Sequence, residues 1–259
     1  MDLGLNGKKA LVTGASSGLG KSIAIALAEE GAKVAIVSRT KSDLEEVLEN
    51  IGGRKKGHYM ITQDLALIGS PEKVFVDLKQ NWGNLDILVN NVGGTLDIKD
   101  PLCSIRDWQK IWRINMEVTI ELTNLSLTYM RNQKWGRIVN ISSISALENQ
   151  GPVPYCSIKA ALTSYTRSIG RIFASDGVMI NSVLPGAVLT EKGYWNTSSK
   201  NNPEHVEKYL NERMAIKRFG KPEEISKIVT FLCSEYASFF VGSAVLVDGG
   251  QGRCFQNEY

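Results

Sequence analysis

The sequence predicts an α/β fold: a doubly wound parallel sheet of seven strands, with helices on both faces, in a single domain spanning residues 1–259. Short apolar runs alternate with helical patterns about seven times along the chain. The runs are almost continuously apolar, as expected of parallel strands buried on both faces. No internal repeat or low-complexity linker divides the chain. Because crossovers between parallel strands are right-handed, ligands should bind beyond the carboxyl ends of the strands.

The predicted strands are runs rich in aliphatic and β-branched residues. They are KKALVTG (8–14), KVAIVSR (33–39), HYMITQDL (58–65), LDILVNNVG (85–93), GRIVNISS (136–143), VMINSVLPG (178–186) and SAVLVDGG (243–250). Apolar residues at helical spacing between them predict helices over 19–30, 42–50, 71–82, 104–131, 155–174 and 222–234. Residues 187–203 are predicted to be irregular, within a substrate lid over about 187–217, because long loops in compact domains tend to be functional.

The composition excludes several classes of function. Hydrophobic residues make up 43% and charged residues 22%, which is typical of a soluble globular protein. The net charge is +3 and the basic residues are scattered, so no nucleic-acid partner is expected. Without a signal peptide or a long apolar run, a cytoplasmic protein with no membrane partner is expected. No metal site is predicted, because two histidines and four separated cysteines (Cys103, Cys156, Cys233 and Cys254) offer few ligands; free thiols fit a reducing compartment.

Glycines mark the turn between the first predicted strand and the first predicted helix. Gly14 permits a tight turn, Gly18 lets the backbone approach a pyrophosphate, and Gly20 lets helix and strand pack closely. The following helix N-terminus offers free N–H groups and the positive end of its dipole. The pattern predicts a dinucleotide site formed by Gly14, Ser16, Ser17, Gly18, Leu19 and Gly20.

The order of motifs from Lys8 to about Gly250 resembles the short-chain dehydrogenase/reductase family of the single-domain type. The motifs are TGASSGLG (13–20), Asn90-Asn91-Val92-Gly93, Asn115, Ser142-Ser143, Tyr155-Cys156-Ser157-Ile158-Lys159 and Pro185-Gly186. The resemblance implies a Rossmann-like fold and hydride transfer between a nicotinamide cofactor and a carbonyl or secondary alcohol. It also implies that Asp64 and Leu65 contact adenine, Asn91 and Gly93 the adenosine ribose, Tyr155 and Lys159 the nicotinamide ribose region, and Pro185, Gly186, Val188 and Thr190 the nicotinamide and diphosphate.

The end of the second predicted strand bears on the choice of cofactor. An acidic side chain there would accept hydrogen bonds from the ribose hydroxyls and repel a 2′-phosphate, but this chain has Ser38, Arg39 and Thr40. A guanidinium and two hydroxyls can all donate to a phosphate. The segment therefore predicts NADP(H) as the cofactor, with NAD as the alternative.

Tyr155 and Lys159 are four residues apart, so on a helix they share one face. A nearby ammonium lowers the pKa of a phenol, which predicts that Lys159 makes Tyr155 a usable acid/base. The resemblance implies that Ser143 orients the substrate carbonyl, that Asn115 supports a proton relay, and that Lys159 also binds ribose. The spacing from serine to tyrosine is one residue shorter than usual in the family, so Ser142 stays an alternative to Ser143.

The segment after Thr190 has few aliphatic residues, which favours a polar substrate contacted by Glu148, Tyr194 and Trp195. RFGKPEEI (218–225) and VDGG (247–250) resemble 3-oxoacyl-carrier-protein reductases, which is one alternative function. A sugar-derivative dehydrogenase that uses NAD is another. Lys134 fits the basic residues that carrier-protein reductases usually have beside the mouth of the site, but Asp176 stands where a further one would be expected. A non-catalytic NADP-binding sensor is a third, disfavoured because Tyr155 and Lys159 are both present. Apolar faces on the helices over 104–131 and 155–175 predict a homotetramer.

Overall fold

Seven strands form one parallel sheet in the computed structural model, which describes residues 1–148 and 150–253. The strands are β1 (Lys9–Thr13), β2 (Lys33–Ser38), β3 (Tyr59–Thr62), β4 (Ile87–Asn90), β5 (Gly136–Ile141), β6 (Val178–Pro185) and β7 (Ala244–Val247). Their order across the sheet is β3-β2-β1-β4-β5-β6-β7, and every neighbouring pair is parallel. The predicted seven-stranded, doubly wound sheet is confirmed.

The helices pack on both faces of this sheet. They are α1 (Gly18–Glu29), α2 (Lys41–Asn50), α3 (Ser70–Asn81), α4 (Ile105–Trp112), α5 (Val118–Asn132), α6 (Val153–Phe173), α7 (Tyr194–Asn201), α8 (Pro203–Arg213) and α9 (Pro222–Leu232). Side chains of α1, α2 and α9 form the core on one face, and side chains of α3, α5 and α6 form the core on the other. The central strands are buried on both sides, which explains their nearly unbroken apolar sequences.

Two predicted boundaries are wrong. The helix predicted over 104–131 is two helices, α4 and α5, joined by a π-helical turn over Arg113–Glu117. Residues 187–203, predicted to be irregular, contain α7, and α8 follows from Pro203. Neither α7 nor α8 has a buried residue, so the usual apolar stripe that reveals a helix in sequence is missing from both.

The chain order reverses between β1 and β4, and this position determines where a ligand can bind. Crossovers leave β1 toward one face of the sheet and β4 toward the other, so their carboxyl ends border an open crevice. Thr13 ends β1 and Asn90 ends β4. The glycine-rich turn and the Asn91–Gly93 segment therefore meet at this crevice.

Within residues 1–148 and 150–253, no helix is long and apolar enough to cross a membrane. The same residues contain no cluster of His, Cys, Asp and Glu suited to a metal ion. Cys103, Cys156 and Cys233 are free thiols, whereas Cys254 lies outside the described residues.

Candidate active site

The glycine-rich turn closes tightly between β1 and α1. Gly14 and Gly18 have φ angles of +62° and +55°, a region that side chains rarely adopt. A Cβ on Gly20 would lie 2.2 Å from the carbonyl oxygen of Gly14, so only glycine lets the helix approach the turn. Asn91 donates from Nδ2 to the carbonyl oxygens of Thr13 and Gly14, at 2.9 and 3.2 Å. This bond joins the turn to the segment after β4.

The N-terminus of α1 is left open toward the crevice. Ser17 occupies the N-cap position in an extended conformation, and its side chain makes no capping hydrogen bond. The first N–H groups of α1 are therefore available to an external acceptor, with the positive end of the helix dipole behind them. Such a helix end suits the phosphates of a dinucleotide.

A cleft of about 880 Å³ extends from this turn across the ends of β2 and β3. Ser38 donates from Oγ to Ser16 Oγ at 2.8 Å, which ties the end of β2 to the turn. Arg39 lines the cleft, whereas Thr40 is the N-cap residue of α2 and is not part of the lining. Of the predicted cofactor residues, the lining includes Gly14, Ser16, Ser17, Ser38, Arg39, Asp64, Leu65, Asn91 and Gly93.

A second cleft of about 330 Å³ continues from the first, because Asn91 and Gly93 line both. It brings together predicted residues from four separate parts of the chain. They are Gly18, Leu19, Ser142, Ser143, Tyr155, Lys159, Pro185, Gly186, Val188, Thr190 and Trp195. The two clefts form one groove that is lined by the residues predicted to bind the dinucleotide, with Ser143, Tyr155 and Lys159 in the smaller cleft.

Tyr155 and Lys159 lie one turn apart on α6, with Lys159 Nζ 5.5 Å from the centre of the Tyr155 ring. Burial raises the pKa of Tyr155 to about 12, and a hydrogen bond with the Ser143 side chain partly opposes that rise. The direction is opposite to the one expected from the nearby ammonium, because burial penalises the charged phenolate. At neutral pH the phenol is protonated.

Lys159 is buried, and its Nζ donates to the carbonyl oxygen of Ile141 at 2.8 Å. Burial lowers the pKa of Lys159 to about 8, because the charged ammonium loses its hydration. The pKa of Lys159 therefore lies close to neutral pH, so the charged and uncharged forms are both accessible. It can gain or lose a proton with little free-energy cost.

The two serine candidates have different surroundings. Ser143 is half-buried, lines the catalytic cleft and hydrogen-bonds to the side chain of Tyr155. Ser142 is buried; its Oγ donates to the carbonyl oxygen of Lys159 at 3.1 Å and lies 2.9 Å from Thr163 Oγ1. The hydroxyl of Ser143 is thus the one held beside Tyr155, while that of Ser142 is engaged in packing β5 against α6.

Asn115 lies in the π-helical turn, not in a regular helix. Its Oδ1 accepts the N–H of Gly94 at 3.0 Å, and its Nδ2 donates to the carbonyl oxygens of Gly94 and Ile111, both at 2.9 Å. A Cβ on Gly93 would lie 2.5 Å from Asn115 Oδ1. The amide side chain therefore holds the segment after β4 close to α6 and Lys159.

The residues predicted to contact the substrate are only partly in the cleft. Trp195 lines it, whereas Tyr194 and Glu148 are not among its lining residues. Trp195 lies in an aromatic cluster, with ring centres 4.1 Å from Tyr209 and 4.8 Å from Phe219. Glu148 accepts the backbone N–H of Arg253. Sequence reasoning missed Tyr209 and Gln251, which sit beside this cluster, because no motif or spacing connects them to the cleft.

Comparisons with known proteins agree with this geometry. A family model described as enoyl-(acyl carrier protein) reductase matches residues 14–251. The chain is 36% identical over 255 residues to a 3-oxoacyl-[acyl-carrier-protein] reductase of Aquifex aeolicus, covering 96% of this chain and 99% of that protein. It is also similar to the structure of L-sorbose reductase from Gluconobacter frateurii complexed with NADPH and L-sorbose. That match has a TM-score of 0.89 and 32% identity, and covers 97% of this chain and 98% of the other.

Proposed function

The chain belongs to the short-chain dehydrogenase/reductase family, and we propose that it is an NADP(H)-dependent oxidoreductase that interconverts a carbonyl and a secondary alcohol. The observation that carries the proposal is the convergence of Ser143, Tyr155 and Lys159 in a cleft that continues into the one lined by the glycine-rich turn and Arg39. Ser143 is hydrogen-bonded to Tyr155, and Lys159 lies one helical turn away.

The roles of the side chains follow from their surroundings. The cofactor supplies the hydride when it is bound. Ser143 donates to the substrate carbonyl oxygen and holds it beside Tyr155, whose protonated phenol then gives its proton to the oxygen as negative charge develops there. Lys159 stabilises the phenolate that remains, and its pKa of about 8 allows it to give that phenolate a proton and to regain one through the relay. Asn115 keeps the segment after β4 against Lys159 and supports the relay.

The preference for NADP(H) rests on Arg39. Its guanidinium lines the wide cleft at the end of β2, and no acidic side chain follows that strand to repel a 2′-phosphate. The complexes of L-sorbose reductase with NADPH and of a 3-oxoacyl (acyl-carrier-protein) reductase from Agrobacterium tumefaciens C58 with NADP, 32% and 30% identical to this chain, support the same choice.

Two substrate classes remain for the experiment to separate: a free polar ketone, such as a sugar derivative, and a 3-oxoacyl group on a carrier protein. Asp176 favours the free ketone. Its carboxylate accepts from Arg131 Nε at 2.6 Å and from Lys134 Nζ at 3.1 Å, so it offsets part of the positive charge that an acidic carrier would need there. The similarity to L-sorbose reductase points the same way.

The remaining parts of the proposal concern assembly and setting. We propose a homotetramer, supported by exposed apolar side chains on two helices, Ile105 on α4 and Val153 and Ile172 on α6. We also propose that the whole chain is one domain, with residues 187–217 as its substrate lid, and that the protein works in the cytoplasm.

Hydride transfer measured across a panel of ketoses, simple ketones and 3-oxoacyl thioesters, with NADPH and with NADH, tests the proposed function. Tyr155→Phe removes the acid/base hydroxyl and almost no volume, so turnover should fall by about 10²–10⁴-fold. NADPH binding, followed by its fluorescence, should change little. Full activity of Tyr155→Phe on a substrate of the wild type would refute the mechanism. Turnover of carrier-bound thioesters only would refute the free-ketone assignment.

A further inference from the structure

Gln251 connects three segments that surround the catalytic cleft, although it belongs to none of the family motifs. Its side chain is only 2% exposed. Oε1 accepts the backbone N–H of Ala187 at 2.7 Å, and Nε2 donates to the phenolic oxygen of Tyr209 at 2.7 Å and to Oε1 of Gln150. Ala187 follows the cleft-lining Gly186, Tyr209 is on α8, and Gln150 lies between Ser143 and Tyr155 in sequence.

The orientation of the Gln251 amide follows from its first partner. A backbone N–H can only donate, so the atom facing Ala187 is the carbonyl oxygen of the side chain. The NH₂ group must then face Gln150 and Tyr209. The side chain therefore accepts a hydrogen bond from the segment after β6 and donates hydrogen bonds to α8 and to the loop before α6.

Gln251 also lies unusually close to the segment that lines the cleft. A Cβ on Gly186 would be 2.7 Å from Gln251 Oε1 and 2.7 Å from the Cα of Asp248. Asp248 in turn accepts the N–H groups of Gly250 and Gly252, at 3.0 and 2.7 Å, which fixes the turn that carries Gln251. A displacement of Gly186 and Ala187 would therefore move the Gln251 amide with it.

On the other side, Gln251 reaches the lid through Tyr209. The Tyr209 ring packs against Trp195 at 4.1 Å between ring centres, and Trp195 lines the catalytic cleft. Burial raises the pKa of Tyr209, so its phenol stays protonated and can accept from Gln251 while donating elsewhere. A continuous path of direct contacts thus joins Ala187 to Trp195.

We propose that Gln251 is a positioning residue that couples the lid to the cofactor-facing segment, so that binding of NADP(H) against Pro185–Val188 holds α8 and Trp195 over the substrate. The proposal rests on the proposed function for the identity of the cofactor. It requires that the lid and the Ala187 segment become ordered together. It also requires that removing the Gln251 amide separates them.

Hydrogen exchange with and without NADPH tests this coupling independently of turnover. In the wild type, NADPH should slow exchange both in the glycine-rich turn and in peptides covering α8. In Gln251→Leu, the turn should keep its protection while the protection of α8 falls by about two- to tenfold, the value of one or two neutral hydrogen bonds. Equal protection of α8 in both proteins would overturn the proposal. Absence of protection in the wild-type turn would instead contradict the proposed cofactor.

Tyr209→Phe provides a milder variant that keeps Gln251 and its bond to Ala187. It should raise KM for the carbonyl substrate by about two- to tenfold and leave kcat and the dissociation constant of NADPH nearly unchanged. Tyr236→Phe is the matched control, since Tyr236 is exposed and lines neither cleft. The double variant with Gln251→Leu should be no worse in KM than Gln251→Leu alone. Additive effects of the two substitutions on KM, or a fall in kcat that only follows the fraction of folded protein, would indicate a merely structural role.

Discussion

Replacing Ser143 and Ser142 one at a time by alanine should separate a catalytic hydroxyl from a structural one. Ser143 is the serine whose hydroxyl hydrogen-bonds to Tyr155 at the cleft. Removing a donor that stabilises a developing oxyanion costs about 10²–10³ in kcat. Ser143→Ala should therefore lose that factor with NADPH affinity intact. Its other bonds are to Ser145 at 3.1 Å, so the stability cost should be about 1 kcal/mol.

Ser142→Ala should show the reverse pattern. Its hydroxyl is buried and bonded to the Lys159 carbonyl and to Thr163, but Thr163 Oγ1 also donates to that carbonyl, at 2.9 Å. The carbonyl keeps a partner, so the loss is about 1–2 kcal/mol of unfolding free energy, or a Tm lower by about 2–8 °C. Activity per folded molecule should stay within a few-fold of the wild type.

Steady-state kinetics and thermal unfolding by circular dichroism measure both quantities on each variant. Ser143→Thr serves as a further control, because it keeps a hydroxyl on a backbone already extended at φ −167° and should recover part of the activity. An inactive Ser142→Ala together with an active Ser143→Ala would refute the assignment and would mean that the shortened loop moves the catalytic hydroxyl by one position.

Three further predictions concern the cofactor, the buried lysine and the assembly. Arg39→Ala should weaken NADPH binding by about ten- to a hundredfold, the value of a charge-assisted hydrogen bond, and leave NADH binding unchanged; equal losses for both would contradict the role of Arg39 at the 2′-phosphate. Lys159→Met should be inactive but more stable than the wild type at pH 7, because the folded-state pKa of about 8 lies below the unfolded value. Between pH 8 and about 10.4 the unfolded chain binds more protons than the folded chain, so the unfolding free energy of the wild type rises with pH. The difference in unfolding free energy between Lys159→Met and the wild type, measured by denaturant unfolding, should therefore shrink in that window. A constant difference would contradict the lowered pKa of Lys159. Light scattering should give a mass four times the 28.5 kDa of one chain, and a monomer would exclude the tetramer.

The sheet could be predicted because its strands are buried on both faces and carry nearly unbroken apolar sequences. Some predicted strands end a few residues too late. The third predicted strand spans 58–65, but β3 covers only Tyr59–Thr62. His58 before it is buried and accepts the N–H of Val34 at 3.0 Å through a ring nitrogen, a contact that hydropathy does not register. Asp64 and Leu65, predicted to contact adenine, follow the last residue of β3.

The two helices of the proposed lid could not be predicted from the sequence. Helices α7 and α8 are exposed along most of their length, and they pack through aromatic rings instead of an aliphatic stripe. Their sequence therefore has the polar character of a loop. The bonds that hold them, from Gln251 to Tyr209 and from Lys192 to Asp43 at 2.6 Å, join residues far apart in the chain. Single-sequence patterns report neighbours within one element and cannot predict such contacts.

At Asn115 the predicted local structure is wrong, because a π-helical turn interrupts the predicted helix. Periodicity over residues 104–131 averages across the two helices, so an extra residue in one turn disappears from the pattern. The turn nevertheless widens the helix at the point where Asn115 bonds to both backbone groups of Gly94. π-helical turns frequently occur at functional sites because they redirect side chains and backbone groups there.

Tyr155 and Lys159 mark the limit of reasoning from spacing alone. Four residues on a helix predict that the two side chains share a face, and the structure places them there. Spacing cannot predict burial, and burial raises the pKa of Tyr155 to about 12 while lowering that of Lys159 to about 8. Both shifts favour the uncharged forms, which suits a donor that must keep its proton until charge develops on the substrate oxygen. The ammonium needed to stabilise the resulting phenolate is thus maintained at a cost in stability, and Lys159→Met measures that cost directly.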